Sequence, residues 1–214
     1  MVRKTRVRGS GSDVVDVVGL GGGNGDSPTE PEAEGGALPV HTKQIGLWAL
    51  LVTITMLFAG FTSAYLARRA AGGWASIPLP PILWVNTLVL LGSSATMEVA
   101  RRALRAWKLG ALKRWLTVTM VLGMAFLGGQ VLAWRDLARQ GIFLPTNPHS
   151  SFFYLLTAVH GLHLLGGLIA LTVVLIRAWQ ERYTPYHPAV GLCATYWHFV
   201  DLLWVYLFGL LFVV

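Results

Sequence analysis

From residue 45 onward the chain alternates long apolar runs with short polar breaks. The runs cover about 45–67, 81–100, 115–134, 151–176 and 190–213, each near the ~20 residues that a spanning helix needs. None shows the alternation of a half-buried strand, and none is amphipathic enough for a water-soluble bundle. The pattern predicts an all-α membrane protein built as a five-transmembrane-helix bundle. The breaks are marked by residues that stop helices or sit at membrane edges. Arg68-Arg69 closes the first run, and Pro78, Pro80 and Pro81 form a loop in which Pro81 suits the first turn of the second. Arg101-Arg102 ends the second run, Pro145-Thr146-Asn147-Pro148 turns into the fourth, and Pro185 and Pro188 precede the fifth. Residues 1–40 read differently: Arg3, Lys4, Arg6 and Arg8, then a glycine-rich run, then Asp26, Glu30, Glu32 and Glu34 among prolines. No apolar face can be assembled from them, so they predict a disordered polar tail ahead of a helical domain at 41–214. The segment Val14-Val15-Asp16-Val17-Val18 is too short and interrupted for a signal-peptide core.

Composition sharpens this picture. The 214 residues are 54% hydrophobic and 13% charged, against roughly 25% charged in soluble domains. A net charge of +7 raises the question of nucleic acid, but the bases lie in short loops between apolar runs, where they orient a membrane protein instead. With five spans, the tail and the second and fourth loops share a side. That side carries 13 Lys and Arg, counting the four tail bases with Lys43, Arg101, Arg102, Arg105, Lys108, Lys113, Arg114, Arg177 and Arg182; the other has 4, Arg68, Arg69, Arg135 and Arg139. The expected topology is N-terminus cytoplasmic, C-terminus outside. One cysteine, Cys193, excludes an intrachain disulfide and any cysteine-based metal cluster.

Candidate chemistry concentrates in the last two runs. The fifth carries His198 and Asp201, three residues apart and so on one helical face. A carboxylate at that depth costs at least roughly 2.5–3.5 kcal/mol on insertion scales, so that face should meet protein or bound polar groups. A proton relay, a structural pair, or an anchor for a lipid head group or partner would each explain it, and the pair or anchor is favoured because no chain of further acids leads to it. The fourth run holds His160 and His163 on a shared face, followed by Gly166-Gly167. They could ligate metal or haem, but one helix cannot supply both axial ligands of a haem at this spacing and a metal wants more ligands. Buried, hydrogen-bonded histidines beside close-packing glycines are the favoured reading. Glu98 stands three and four residues before Arg101 and Arg102, the spacing of an end-of-helix ion pair. The small polar residues Asn86, Thr87, Ser93, Ser94, Gly123, Gly128, Gly129 and Gln130 suit close helix packing. No nucleophile with its base, phosphate loop or carboxylate pair is present. No broken-helix pair of the transporter kind appears either.

Five motifs, one per run and in order, resemble the subunit III family of the haem-copper oxidases. They are Met56-Leu57-Phe58-Ala59-Gly60-Phe61; Leu83-Trp84-Val85-Asn86-Thr87 with Ser93-Ser94; Phe126-Leu127-Gly128-Gly129-Gln130; Phe152 to Thr157 followed by His160-Gly161-Leu162-His163; and Trp197-His198-Phe199-Val200-Asp201. The resemblance covers about 45–214 and is to the short, five-helix form of the family. It departs at two places where many members carry an acid, here Ile54 and Ala133-Trp134. The resemblance implies a non-catalytic subunit of a proton-pumping cytochrome c oxidase in the bacterial plasma membrane. Such a subunit has no haem, copper or catalytic residue of its own, those groups being expected in partner subunits. It implies packing against oxidase subunit I and other subunits, within a respiratory supercomplex in some systems. It also implies bound phospholipid and support of proton uptake. The residues read together as a lipid-binding or structural polar cluster are His160, His163, Trp197, His198, Asp201, Arg101 and Arg102. An accessory subunit of nitric oxide reductase is the near alternative, and a small haem-binding electron carrier the further one.

Overall fold

In the computed structural model the described residues are 40–72, 80–143, 148–180 and 188–213; the N-terminal tail and the Pro145 and Pro185 breaks lie outside them. The described residues form five α-helices: α1 (Val40–Ala70), α2 (Ile82–Arg105), α3 (Leu109–Arg139), α4 (Pro148–Trp179) and α5 (Pro188–Val213). All five are long and apolar enough to cross a membrane. Most run past the predicted spans by several residues. The extra turns carry Arg68, Arg69, Arg105, Arg139 and Arg177, which an apolar-run reading excludes although a helix carries them readily at its ends.

The helices α2, α3, α4 and α5 close a ring, each touching its neighbours, with α2 also meeting α5; α1 lies outside it and contacts α4 and α5. Lipid tails are as apolar as leucine, so no hydrophobic force drives this packing. Close contact and interhelical hydrogen bonds do. The chain uses one device three times. Thr87, Ser93 and Thr157 each donate a hydroxyl proton to a carbonyl of their own helix, at 2.8, 2.7 and 2.7 Å. The hydroxyl oxygen then accepts an indole N–H from another helix: Trp204 to Thr87 at 3.0 Å, Trp197 to Ser93 at 3.1 Å, Trp134 to Thr157 at 3.1 Å. Donor and acceptor are both satisfied where no water is at hand.

Trp197 and Trp204, two turns apart on α5, form the layers of the core. Trp197 lies against two glycines: a Cβ at Gly123 of α3 would stand 2.8 Å from its ring, and one at Gly167 of α4 3.5 Å. Trp204 packs edge-on to Phe126 at 4.8 Å and beside His160 at 5.0 Å. Not every glycine expected to permit close approach does so. Gly123, Gly129 and Gly167 do, Gly161 faces Leu127 of α3 instead of α5, and Gly128 has open space beside it.

Candidate functional site: a polar line between α2 and α5

The fifth helix presents His198 and Asp201 toward α2, whose facing residues are Ser94 and Glu98. Ser94 Oγ lies 2.6 Å from His198 Nδ1. His198 Nε2 stands 3.8 Å from Glu98 Oε2, an ion-pair distance but too long for a hydrogen bond. Glu98 is held by its own helix, with Arg101 Nε at 2.8 Å and Arg102 Nε at 3.1 Å. Asp201 is buried at 3% exposure, neither carboxyl oxygen has a hydrogen-bond partner, and the Ser94 side chain is the polar group acting on it. His198 and Asp201 meet the same residue of α2, Ser94, rather than each other directly. They share a helical face turned to α2, with His198 at the rim beside Ser94 and Glu98 and Asp201 buried deeper beside Ser94. The expected Glu98–arginine contact is present, and it belongs to the same line of polar groups as His198. Sequence spacing finds contacts within one helix and is blind to this inter-helix partnership.

His160 and His163 separate likewise. His160 is fully buried, its ring beside Phe126 and Trp204, with both ring nitrogens unpartnered. His163 is half-buried; its Nδ1 meets the Val159 carbonyl at 2.7 Å and its ring faces Phe58 of α1 at 5.7 Å. A carbonyl only accepts, so that nitrogen carries the proton. The α4–α5 contact made near His163 is Tyr196 donating its hydroxyl to the His163 carbonyl at 2.9 Å. In the same core, Gln130 has both amide atoms unpartnered, and Asn86 its amide nitrogen. Asn86 sits directly on Gly129, where any Cβ would overlap its amide. Of the predicted residues, Arg101 and Arg102 join His198 through Glu98. Trp197 closes the core beside Ser93, one residue before Ser94, while His160 and His163 stand on the α4 side. Ser94 and Glu98 are the members that residue-type reasoning did not assign to the site.

Ile54 and Ala133, at the positions where acids were expected by resemblance, are buried core residues. Asp201 is thus the one buried carboxylate among the described residues. No three of His, Cys, Asp and Glu among them are grouped to hold a metal ion. What the arrangement offers is hydrogen bonding and charge pairing inside a membrane bundle, the equipment of a membrane subunit that assembles with others.

Residues 40–214 match the family model described as cytochrome c oxidase subunit III. The chain is 34% identical over 174 residues to the probable cytochrome c oxidase subunit 3 of Mycobacterium tuberculosis, covering 78% of this chain and 86% of that one. It is 32% identical to the cytochrome c oxidase subunit 3 of Thermostichus vulcanus, covering 79% and 86%. With that of a Bacillus species the identity is 30%, covering 85% and 89%. The chain belongs to the cytochrome c oxidase subunit III family, as a multi-pass bacterial membrane protein.

Proposed function

We propose that this chain is a non-catalytic subunit of a haem-copper terminal oxidase in the bacterial inner membrane. It stabilises the catalytic subunit I, binds phospholipid and supports proton uptake during oxygen reduction. The observation that carries the reading is how the polar groups of the bundle are used. Indole N–H groups meet hydroxyls of neighbouring helices, and Glu98 meets Arg101, Arg102 and His198. These are groups for holding helices in place, not for moving electrons. The N-terminus-inside topology and the meeting of Arg101, Arg102 and Arg105 with anionic lipid heads are part of the proposal. Arg102 and Arg105 are exposed and Arg101 half-buried, and a basic cluster at a cytoplasmic helix end attracts anionic lipid.

Affinity purification of the tagged chain from native membranes tests the reading. A large haem-bearing subunit should co-purify and the complex should reduce oxygen, while the chain alone should be polydisperse and show no Soret band. A stable monomer carrying its own haem would establish the electron-carrier alternative. A co-purifying complex that reduces nitric oxide and not oxygen would establish the reductase alternative.

A further inference from the structure

We infer that the trough floored by α5 between α1 and α2 is the seat of a transmembrane helix from another subunit, which completes the hydrogen bonding of His198 near the bilayer midplane. The inference rests on the oxidase-subunit reading and adds which face of the chain is covered and by what.

The first observation is an opening. Helices α1 and α2 both pack on α5 but not on each other. The strip of α5 between them is bare: Leu202 is 69% exposed. On the α1 side the strip borders a cavity of about 290 Å³ lined by Thr55, Phe58 and Ala59 of α1 with Phe199, Leu202, Leu203 and Tyr206 of α5. His198, one turn before Leu202, edges the same strip on the α2 side with its side chain 36% exposed, beside Glu98 at 25%.

The second observation is depth. At ~1.5 Å per residue, His198 lies about 4 Å from the midpoint of α5, Ser94 within about 1 Å of the midpoint of α2, and Glu98 about 7 Å from it. The hydrocarbon layer reaches roughly 15 Å to either side of the midplane. A half-exposed imidazole there cannot face acyl chains, since each unpaired polar group in lipid costs several kcal/mol. Ser94 satisfies Nδ1, while Nε2 is left at 3.8 Å from a carboxylate already held by two arginines.

Depth also selects the occupant. A phospholipid head group would have to descend about 11 Å into the hydrocarbon to reach His198. Acyl chains reach the site but supply no donor or acceptor. A transmembrane helix brings a side chain or a freed carbonyl to that level and buries Leu202 and Ala95 beside it. Polar groups shared between helices in this way are the usual glue of membrane assemblies.

The test is site-specific photocross-linking in the intact complex. A photoreactive phenylalanine analogue is placed at Leu202 or at Ala95, the exposed residue that follows Ser94 on α2. Both positions should give an adduct with the same second subunit. Adducts with lipid only, or with a second copy of this chain, would overturn the inference. A second measurement uses His198→Leu and His198→Gln. Leu should lower recovery of the complex several-fold while the chain persists in the membrane, and Gln, which keeps a donor and an acceptor, should restore most of it. Equal recovery with both variants would overturn the role given to His198. Failure of the tagged chain to bring down any haem subunit would instead remove the oxidase reading and leave the cross-link result to stand alone.

Discussion

Single residues in this bundle are stabilised by two unequal terms, and Trp204 separates them. Its indole N–H reaches Thr87 on α2 at 3.0 Å, and its ring fills space against Phe126 and His160. Interhelical hydrogen bonds inside membranes average about 0.6 kcal/mol and reach at most about 1.7 kcal/mol. Truncating a buried tryptophan to alanine costs about 3–5 kcal/mol through lost contacts and the cavity left. Trp204→Phe should therefore lower the unfolding free energy in detergent by about 1 kcal/mol, and Trp204→Ala by several times that. Equal losses would mean the hydrogen bond, not packing, holds the layer. Part of this was legible in the sequence: Asn86, Thr87 and Ser93 stand out as small polar residues suited to helix packing, while Trp204 lies beyond the last motif. What the sequence withheld was pairing across helices. Ser94 and Glu98 look like packing and end-of-helix residues until His198 of α5 is brought beside them. His198 and Asp201 look like a self-contained pair until α2 brings Ser94 to both of them.

At the scale of elements, the corner between α2 and α3 shows a local rule broken. Trp107 has φ +55, the sole non-glycine residue among those described with positive φ. Its N–H reaches the Leu104 carbonyl at 2.9 Å and the next N–H, of Lys108, the Ala103 carbonyl at 2.9 Å. This is the helix-ending Schellman arrangement, in which the left-handed position is normally glycine. A side chain there costs roughly 1–2 kcal/mol. The indole is exposed and flanked by Arg105 and Lys108, which suits an aromatic anchor at the membrane surface. Trp107→Gly should then raise stability in detergent by about 1 kcal/mol, because strain is relieved and no packing is lost. The gain should shrink or reverse in bilayers, where the anchor acts. A loss of stability in detergent would show that the indole is packed more tightly than its exposure indicates. The five elements themselves were legible from their apolar runs. This corner was not, because Arg101 to Lys113 contains no glycine or proline at the turn except Gly110, which falls inside α3.

For the whole molecule, the telling fact is a carboxyl buried in the bundle with a single hydroxyl, that of Ser94, acting on it. Asp201 is 3% exposed with Ser94 as the polar side chain acting on it, and the desolvation of such a group is a cost to the isolated bundle. Leucine keeps the γ-branched outline and carries no such cost, so Asp201→Leu should leave the isolated chain about as stable as before. Groups that violate local rules without local compensation are expected where function or assembly needs them. The effect of Asp201→Leu should therefore appear in the assembled oxidase. The initial rate of oxygen reduction should stay within about twofold of wild type, while recovery of the complex or its lifetime under continuous turnover falls. Oxygen consumption followed from the first turnovers to inactivation separates the outcomes. Loss of lifetime with the initial rate preserved fits a stabilising subunit. Immediate loss of the rate with the complex intact would place Asp201 on a direct proton path, with Ser94, His198 and Glu98 as the groups leading to it.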